Sequence, residues 1–471
     1  MRTKIIATLG PSSSDPNIIF EMVRAGVSGF RINMVYGSLD EKDRIISAIR
    51  KIEDELGIPI PIIAEIKGRT LRIGEMPESH LESGEKLVFQ FGVKRSDDIH
   101  VIPVPYEIST RIIKPGDRIL LADGRIIVRA DAVKDFEVEG TVIEGGTLRS
   151  NARIALRKKS LLNLPPITRE DEKNIDFLMR KDVDVLMIPD VLDPNDLEIV
   201  SSFLGSYGKK DVRILARIEN ADALPKLKEI AKRSDGIVFA KENIENMLVE
   251  EERPIADMFL EDLAIRMTLK NSKPILVIVP TLESLVFDST IKRHNLVVLT
   301  NLISKSFDGI VVCSETAIGR HPVNTIKIIA RVVEETERRL GFSRFEIEDD
   351  DPIYVRFNRG LLALAEMIGA KIAVYTTYGR TVLAIVRFRP KNMVYGFTDS
   401  MRTARYLSII WGTKPIYVKQ TPNFEIMEKE LIRRRLVQSG EAIVFSYGWR
   451  PEIFVKQYLL VEILQEVHLS S

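Results

Sequence analysis

"VRILARIENADALPKLKEIAKRSDGIVFAKEN", residues 212–243, decides how the chain is read. An apolar run, a stretch with helical spacing and a second apolar run make one strand–helix–strand unit. Successive side chains of a strand point to opposite sides, so Arg217 and Glu219 share one side at the end of the first strand. The second strand finishes in Lys241, Glu242 and Asn243. Charges collected at two strand ends raise the question of what chemistry they serve.

The same alternation extends in both directions. Toward the N-terminus, "TKIIATLG", "GFRINMV" and "PIPIIAEIKG" read as strands. Two helices separate them, "SSSDPNIIFEMVRAGV" and "SLDEKDRIISAIRKIEDELG". After an interruption, strands resume at "VDVLMIPDV" and continue through "VRILARIEN", "GIVFAKEN", "KPILVIVPT" and "DGIVVCSE". Three strands and then five give eight β/α units, which predicts a TIM (β/α)8 barrel. Between its halves, residues 72–162 hold short β-rich runs separated by Gly- or Asp-containing turns, such as "GDRILLADGRIIVRADAV". They predict a small β-barrel lid inserted after the third strand. Beyond the acidic stretch "RFEIEDDDP", the strands "KIAVYTT", "NMVYGFT", "KPIYVK" and "EAIVFSYG" predict a C-terminal α/β open-sheet domain. The expected domains are therefore residues 1–71 with 163–342, residues 72–162, and residues 343–471. Barrel enzymes act at the carboxyl ends of their strands, which is where the charges of 217–219 and 241–243 fall.

Composition narrows the class. A net charge of +1 over 471 residues gives no reason to expect nucleic acid as a partner. The single cysteine, Cys313, rules out an intramolecular disulfide framework. The start "MRTKIIATLGPSSSDP" lacks the apolar core of a signal peptide, and the longest apolar runs are far short of a membrane span. The expectation is a cytoplasmic protein with no membrane partner.

The order of certain segments is specific. "TKIIATLGPSS" (3–13), "GFRINMVYG" (29–37), "IKGRTLRIG" (66–74), "ARIEN" (216–220), "SDGIVFA" (234–240), "LES" (282–284) and "SETAIGRHPV" (314–323) resemble the pyruvate kinase signatures in sequence. "GRTVLAIVRFRPK" (379–391) and "RTARYLSIIWGTKPIYV" (402–418) resemble that family's C-terminal domain. The resemblance implies phosphoryl transfer from phosphoenolpyruvate to ADP, giving pyruvate and ATP. It also implies a Mg2+ or Mn2+ cofactor and a homo-oligomer, a tetramer in most of the family. Arg31, Asn33, Lys67, Arg72 and Glu219 match the family pattern in its phosphate, nucleotide and metal region. Glu219 corresponds to a direct ligand of the divalent ion, a hard cation that favours carboxylate oxygen.

Other positions depart from the family. Arg217 stands where the family has a lysine against the transferring phosphoryl group. Asn243 replaces the second metal carboxylate, and Glu242 a glycine beside it, so Glu219, Asn243 and Glu242 form the candidate metal set. Val279 replaces a threonine whose hydroxyl assists protonation of the enolate. Val35 and Tyr36 replace a cation-ligating serine and a nucleotide-side histidine, and Glu65 and Ile66 the remaining monovalent-ion side chains. No potassium site is expected. Arg217, Arg72 and Lys67 are the candidate catalytic residues, and Arg31, Asn33, Tyr36 and Lys241 the candidate substrate- or nucleotide-binding ones. The expected activity is that of a pyruvate kinase with a rearranged, impaired site. The alternative is an inactive paralogue that binds a nucleotide or metabolite as a regulatory subunit, alone or in a hetero-oligomer.

Overall fold

The computed structural model describes the chain except for residues 157–163, 209–210, 249–252, 280–281, 283, 340, 342–343, 448–458 and 464–471. The expected junctions at 162/163 and 342/343 lie outside the described residues.

Eight strands close into a barrel: β1 (Lys4–Leu9), β2 (Gly29–Asn33), β3 (Ile62–Glu65), β4 (Val185–Ile188), β5 (Arg213–Ile218), β6 (Gly236–Phe239), β7 (Ile275–Ile278) and β8 (Gly309–Val312). Each pairs in parallel with its neighbours in sequence order, and β8 closes on β1. The β-branched runs are buried on both faces, as parallel strands beneath helices must be. Their period of two sorts them into two layers. Ile6, Ile63, Leu215, Val238, Leu276 and Val311 belong to the inner cluster. Phe30, Ile32, Ile62, Ala216 and Ile218 pack outward against the helices. Helix starts are fixed by local chemistry. Asp15 caps the helix Pro16–Arg24, with proline in its first turn, and Thr168 and Asp171 form a capping box on Arg169–Arg180.

The insert is all-β with its own core, as its turn-punctuated runs predict. Its main ladder is an open seven-stranded sheet, from Leu71–Arg72 at one edge to Val101–Val104 at the other. A short ribbon, Ser79–Leu81 with Gly146–Leu148, lies beside it. The expected small barrel is therefore not closed by hydrogen bonds among the described residues. One edge strand has only two residues, and the other contains Pro103, which has no N–H to extend a ladder.

The C-terminal unit is a five-stranded sheet in the order Thr413–Tyr417, Val394–Thr398, Lys371–Tyr375, Ala442–Tyr447, Leu459–Ile463. It docks against the barrel end where strands begin. Arg389 bonds Asp308 just before β8, Arg405 bonds Asp184 just before β4, and Tyr406 donates to the Asp235 carbonyl just before β6. The opposite end, with the strand carboxyl termini, is left to the lid.

Candidate active site

Strand alternation decides which charges face the barrel mouth. On β2, Phe30 and Ile32 go outward, so Arg31 goes inward. On β3, Ile62 and Ala64 go outward, so Glu65 goes inward. On β5 and its extension, Leu215, Arg217 and Glu219 share the inner side. The Arg31 Nε and Nη2 both bond Glu65 Oε2, and its Nη1 donates to Thr8 Oγ1 at 2.9 Å. Arg217 spans the two carboxylates, with Nη1 2.7 Å from Glu65 Oε1 and Nη2 2.8 Å from Glu219 Oε2. A third guanidinium comes from the lid, where Arg153 Nη1 lies 2.6 Å from the same Glu219 oxygen. Asn243 adds its Nδ2 at 3.3 Å from that oxygen.

Electrostatics follow from this arrangement. Burial alone would raise the Glu65 carboxyl, but the charges of Arg31 and Arg217 outweigh it, so Glu65 titrates below its ordinary range. Burial pushes the Cys313 thiol up, although Arg31 Nη1 lies 3.8 Å from its sulfur. That thiol has the surroundings of a packed side chain, not of a nucleophile.

The other candidates lie around this cluster. Asn33 pairs in register with Glu65 and turns its own Oδ1 back to the Val35 amide. Arg72 donates to the Tyr36 hydroxyl at 3.0 Å, its guanidinium carbon 5.5 Å from the ring centre, so the two form a separate pair at the lid hinge. Lys67 reaches Glu170 at 2.8 Å, away from the carboxylates of the mouth. Lys241 turns to Glu261 at 3.0 Å and Glu245 at 3.1 Å. Glu242 opens the helix Lys241–Met247 and is half-buried. Ile66 and Val279 both pack into the outer layer against the helices. Neither side chain therefore faces the mouth, and a missing hydroxyl at 279 weighs less than the sequence suggested. Sequence reasoning missed Arg153. Its only signal was a basic run in "RSNARIALRKK", and nothing in that run says which arginine reaches the barrel.

Glu219 decides whether the site suits a divalent ion. It is fully buried, and its Oε1 has no hydrogen-bond partner among the described residues. One oxygen is thus open to a ligand. Magnesium and manganese, however, want several oxygen donors in near-octahedral array. Among the described residues, no three His, Cys, Asp or Glu side chains are grouped to hold a metal. Glu65 spends both oxygens on arginines, Asn243 presents its N–H to Glu219, and Oε2 already carries two guanidiniums. In this arrangement the donor set does not fit a Mg2+ or Mn2+ ion.

Barrel, inserted β-sheet unit and C-terminal sheet together define a class of interrupted (β/α)8 proteins with charges at the strand ends. Within it, the chain belongs to the pyruvate kinase family. The family's barrel domain matches residues 1–326, and its alpha/beta domain matches 359–454. A pyruvate kinase of Thermococcus litoralis is 30% identical over 465 residues, covering 96% of this chain and 95% of the relative. One from Aeropyrum pernix is 27% identical over 451 residues, covering 95% of this chain and 96% of the relative. The crystal structure of pyruvate kinase from Pyrobaculum aerophilum superposes with a TM-score of 0.82 at 26% identity, over 98% of this chain and 99% of that one. No helix among the described residues is long and apolar enough to cross a membrane.

Proposed function

We propose that the chain transfers the phosphoryl group of phosphoenolpyruvate to ADP at the barrel mouth, with low turnover. Arg217 carries this reading. Its planar fork is held at both ends by buried carboxylates, at the position where the strand delivers it to the mouth. A rigid guanidinium can clamp the equatorial oxygens of a phosphoryl group, and phosphoryl transfer depends on such positioning and charge neutralisation. In the reaction the enol P–O bond breaks while an ADP terminal oxygen bonds phosphorus. The enolate left behind takes a proton from water and becomes pyruvate. Arg31 and Arg153 add positive charge, and Arg72 and Tyr36 flank the nucleotide side.

Turnover is low because Asn243 gives the site one carboxylate fewer and Glu219 is already paired with arginines. The same mismatch favours a second reading, a paralogue that binds nucleotide or metabolite without chemistry. Lack of side-chain oxygen at Val35 and Ile66 supports potassium independence, and family membership supports a cytoplasmic homo-oligomer. A pyruvate-formation assay with phosphoenolpyruvate, ADP and magnesium or manganese tests the first reading, with Glu219→Ala as control. Turnover above the control sustains it. No turnover, with thermal stabilisation by phosphoenolpyruvate or ADP, leaves the second.

A further inference from the structure

Arg153 belongs to the lid, not the barrel, yet its guanidinium ends on the most buried carboxylate of the mouth. It stands on the strand Arg153–Leu156, directly opposite Arg72 in register, so the hinge arginine and the inward-reaching arginine are neighbours on one ladder. Both partners of the Arg153–Glu219 contact are at most 5% exposed. Three guanidiniums, from Arg31, Arg153 and Arg217, surround the two carboxylates Glu65 and Glu219. A divalent ion against Glu219 Oε2 would have to share that oxygen with the guanidiniums of Arg153 and Arg217 in a buried space, at a heavy electrostatic cost.

We propose that Arg153 serves as the counter-cation of Glu219 in place of a divalent ion, so that the closed site excludes Mg2+ and Mn2+. Rested on the reading that a phosphorylated acid enters the mouth, this makes phosphoenolpyruvate binding independent of divalent ions, because guanidiniums meet its phosphate directly.

The test is a titration of the full-length protein with Mn2+ alone, followed by electron paramagnetic resonance. Wild-type protein is expected to show no stoichiometric Mn2+ site. Arg153→Ser should acquire one, binding at least about tenfold tighter. Arg153→Gln is the second variant should the serine form fail to fold. Mn2+ held by the wild type as tightly as by either variant overturns the proposal. Calorimetric titration with phosphoenolpyruvate, in EDTA and then in magnesium, supplies the other arm. Affinity that differs by less than about twofold supports the proposal, and binding lost in EDTA overturns it. Mn2+ excluded by the wild type and admitted by the variant supports the proposal even where phosphoenolpyruvate binds in neither buffer. In that case it is the functional reading of the mouth that falls.

Discussion

Arg389 of the C-terminal domain faces Asp308 of the barrel across a fully buried, two-pronged contact, with Nη2 2.8 Å from Oδ2 and Nη1 3.3 Å from Oδ1. Asp308 also accepts from the Ile275 and Trp411 amides, and Arg389 Nε donates to the Ser306 carbonyl. Removing the arginine leaves a buried carboxylate without its cation. Arg389→Ala should therefore cost about 3–5 kcal/mol in a urea unfolding curve. The exposed Arg433–Glu430 pair should show no measurable change on Arg433→Ala.

Lys4 donates to the Thr413 carbonyl at 2.6 Å, and burial lowers its pKa from 10.5 to about 8. Between those values the unfolded chain binds more protons than the folded one, so stability rises with pH across that window. The destabilisation is fully present below about pH 8 and relieved as pH climbs toward 10.5. It amounts to about 3 kcal/mol at most. Melting curves between neutral and alkaline pH check this. Lys4→Met should flatten the alkaline rise, whereas an unchanged rise would assign it elsewhere.

Glu219→Ala strips Arg153 and Arg217 of a shared acceptor inside the fold. A loss of about 3–5 kcal/mol is expected. Glu219→Gln keeps the shape and one acceptor oxygen, so it should lose less. Equal losses would mean that the charge contributes nothing.

Asn243→Asp returns a carboxylate next to Glu219, at the 3.3 Å contact. Combined with Arg153→Ser, it should bind Mn2+ more tightly than Arg153→Ser alone, by roughly tenfold. Equal affinities would show that residue 243 does not face the ion.

Exchange of potassium for tetramethylammonium should leave pyruvate formation unchanged, because Val35 and Ile66 offer no side-chain oxygen and Ile66 packs among apolar side chains. A rate that depends on potassium would locate the monovalent ion elsewhere.

The barrel was legible because its strands carry unbroken β-branched runs and its helices carry their own caps, both local properties. Arg217 and Glu219 could be assigned to one side by counting in twos, whereas Arg31 was reached only through its motif. Glu65 was read only as a lost ion ligand. Its true part, holding two arginines, depends on β2, β3 and β5 meeting in space. Arg153 was illegible for a stronger reason: 66 positions separate it from Glu219, and only the fold of the lid closes that distance. The outward turn of Val279 likewise belongs to the barrel's layering, which motif matching does not see.

The seam beneath the barrel runs through Asp184, Asp235 and Asp308, all at strand beginnings, while Arg217, Glu219 and Asn243 stand beyond or near strand endings. Foundation and workshop thus occupy opposite ends of the same eight strands. Substitutions in the workshop are insulated from the foundation by a full strand length of aliphatic packing. Such a chain is free to drift at one end over long lineages without losing its shape, and an engineer could re-equip that end while leaving the other untouched.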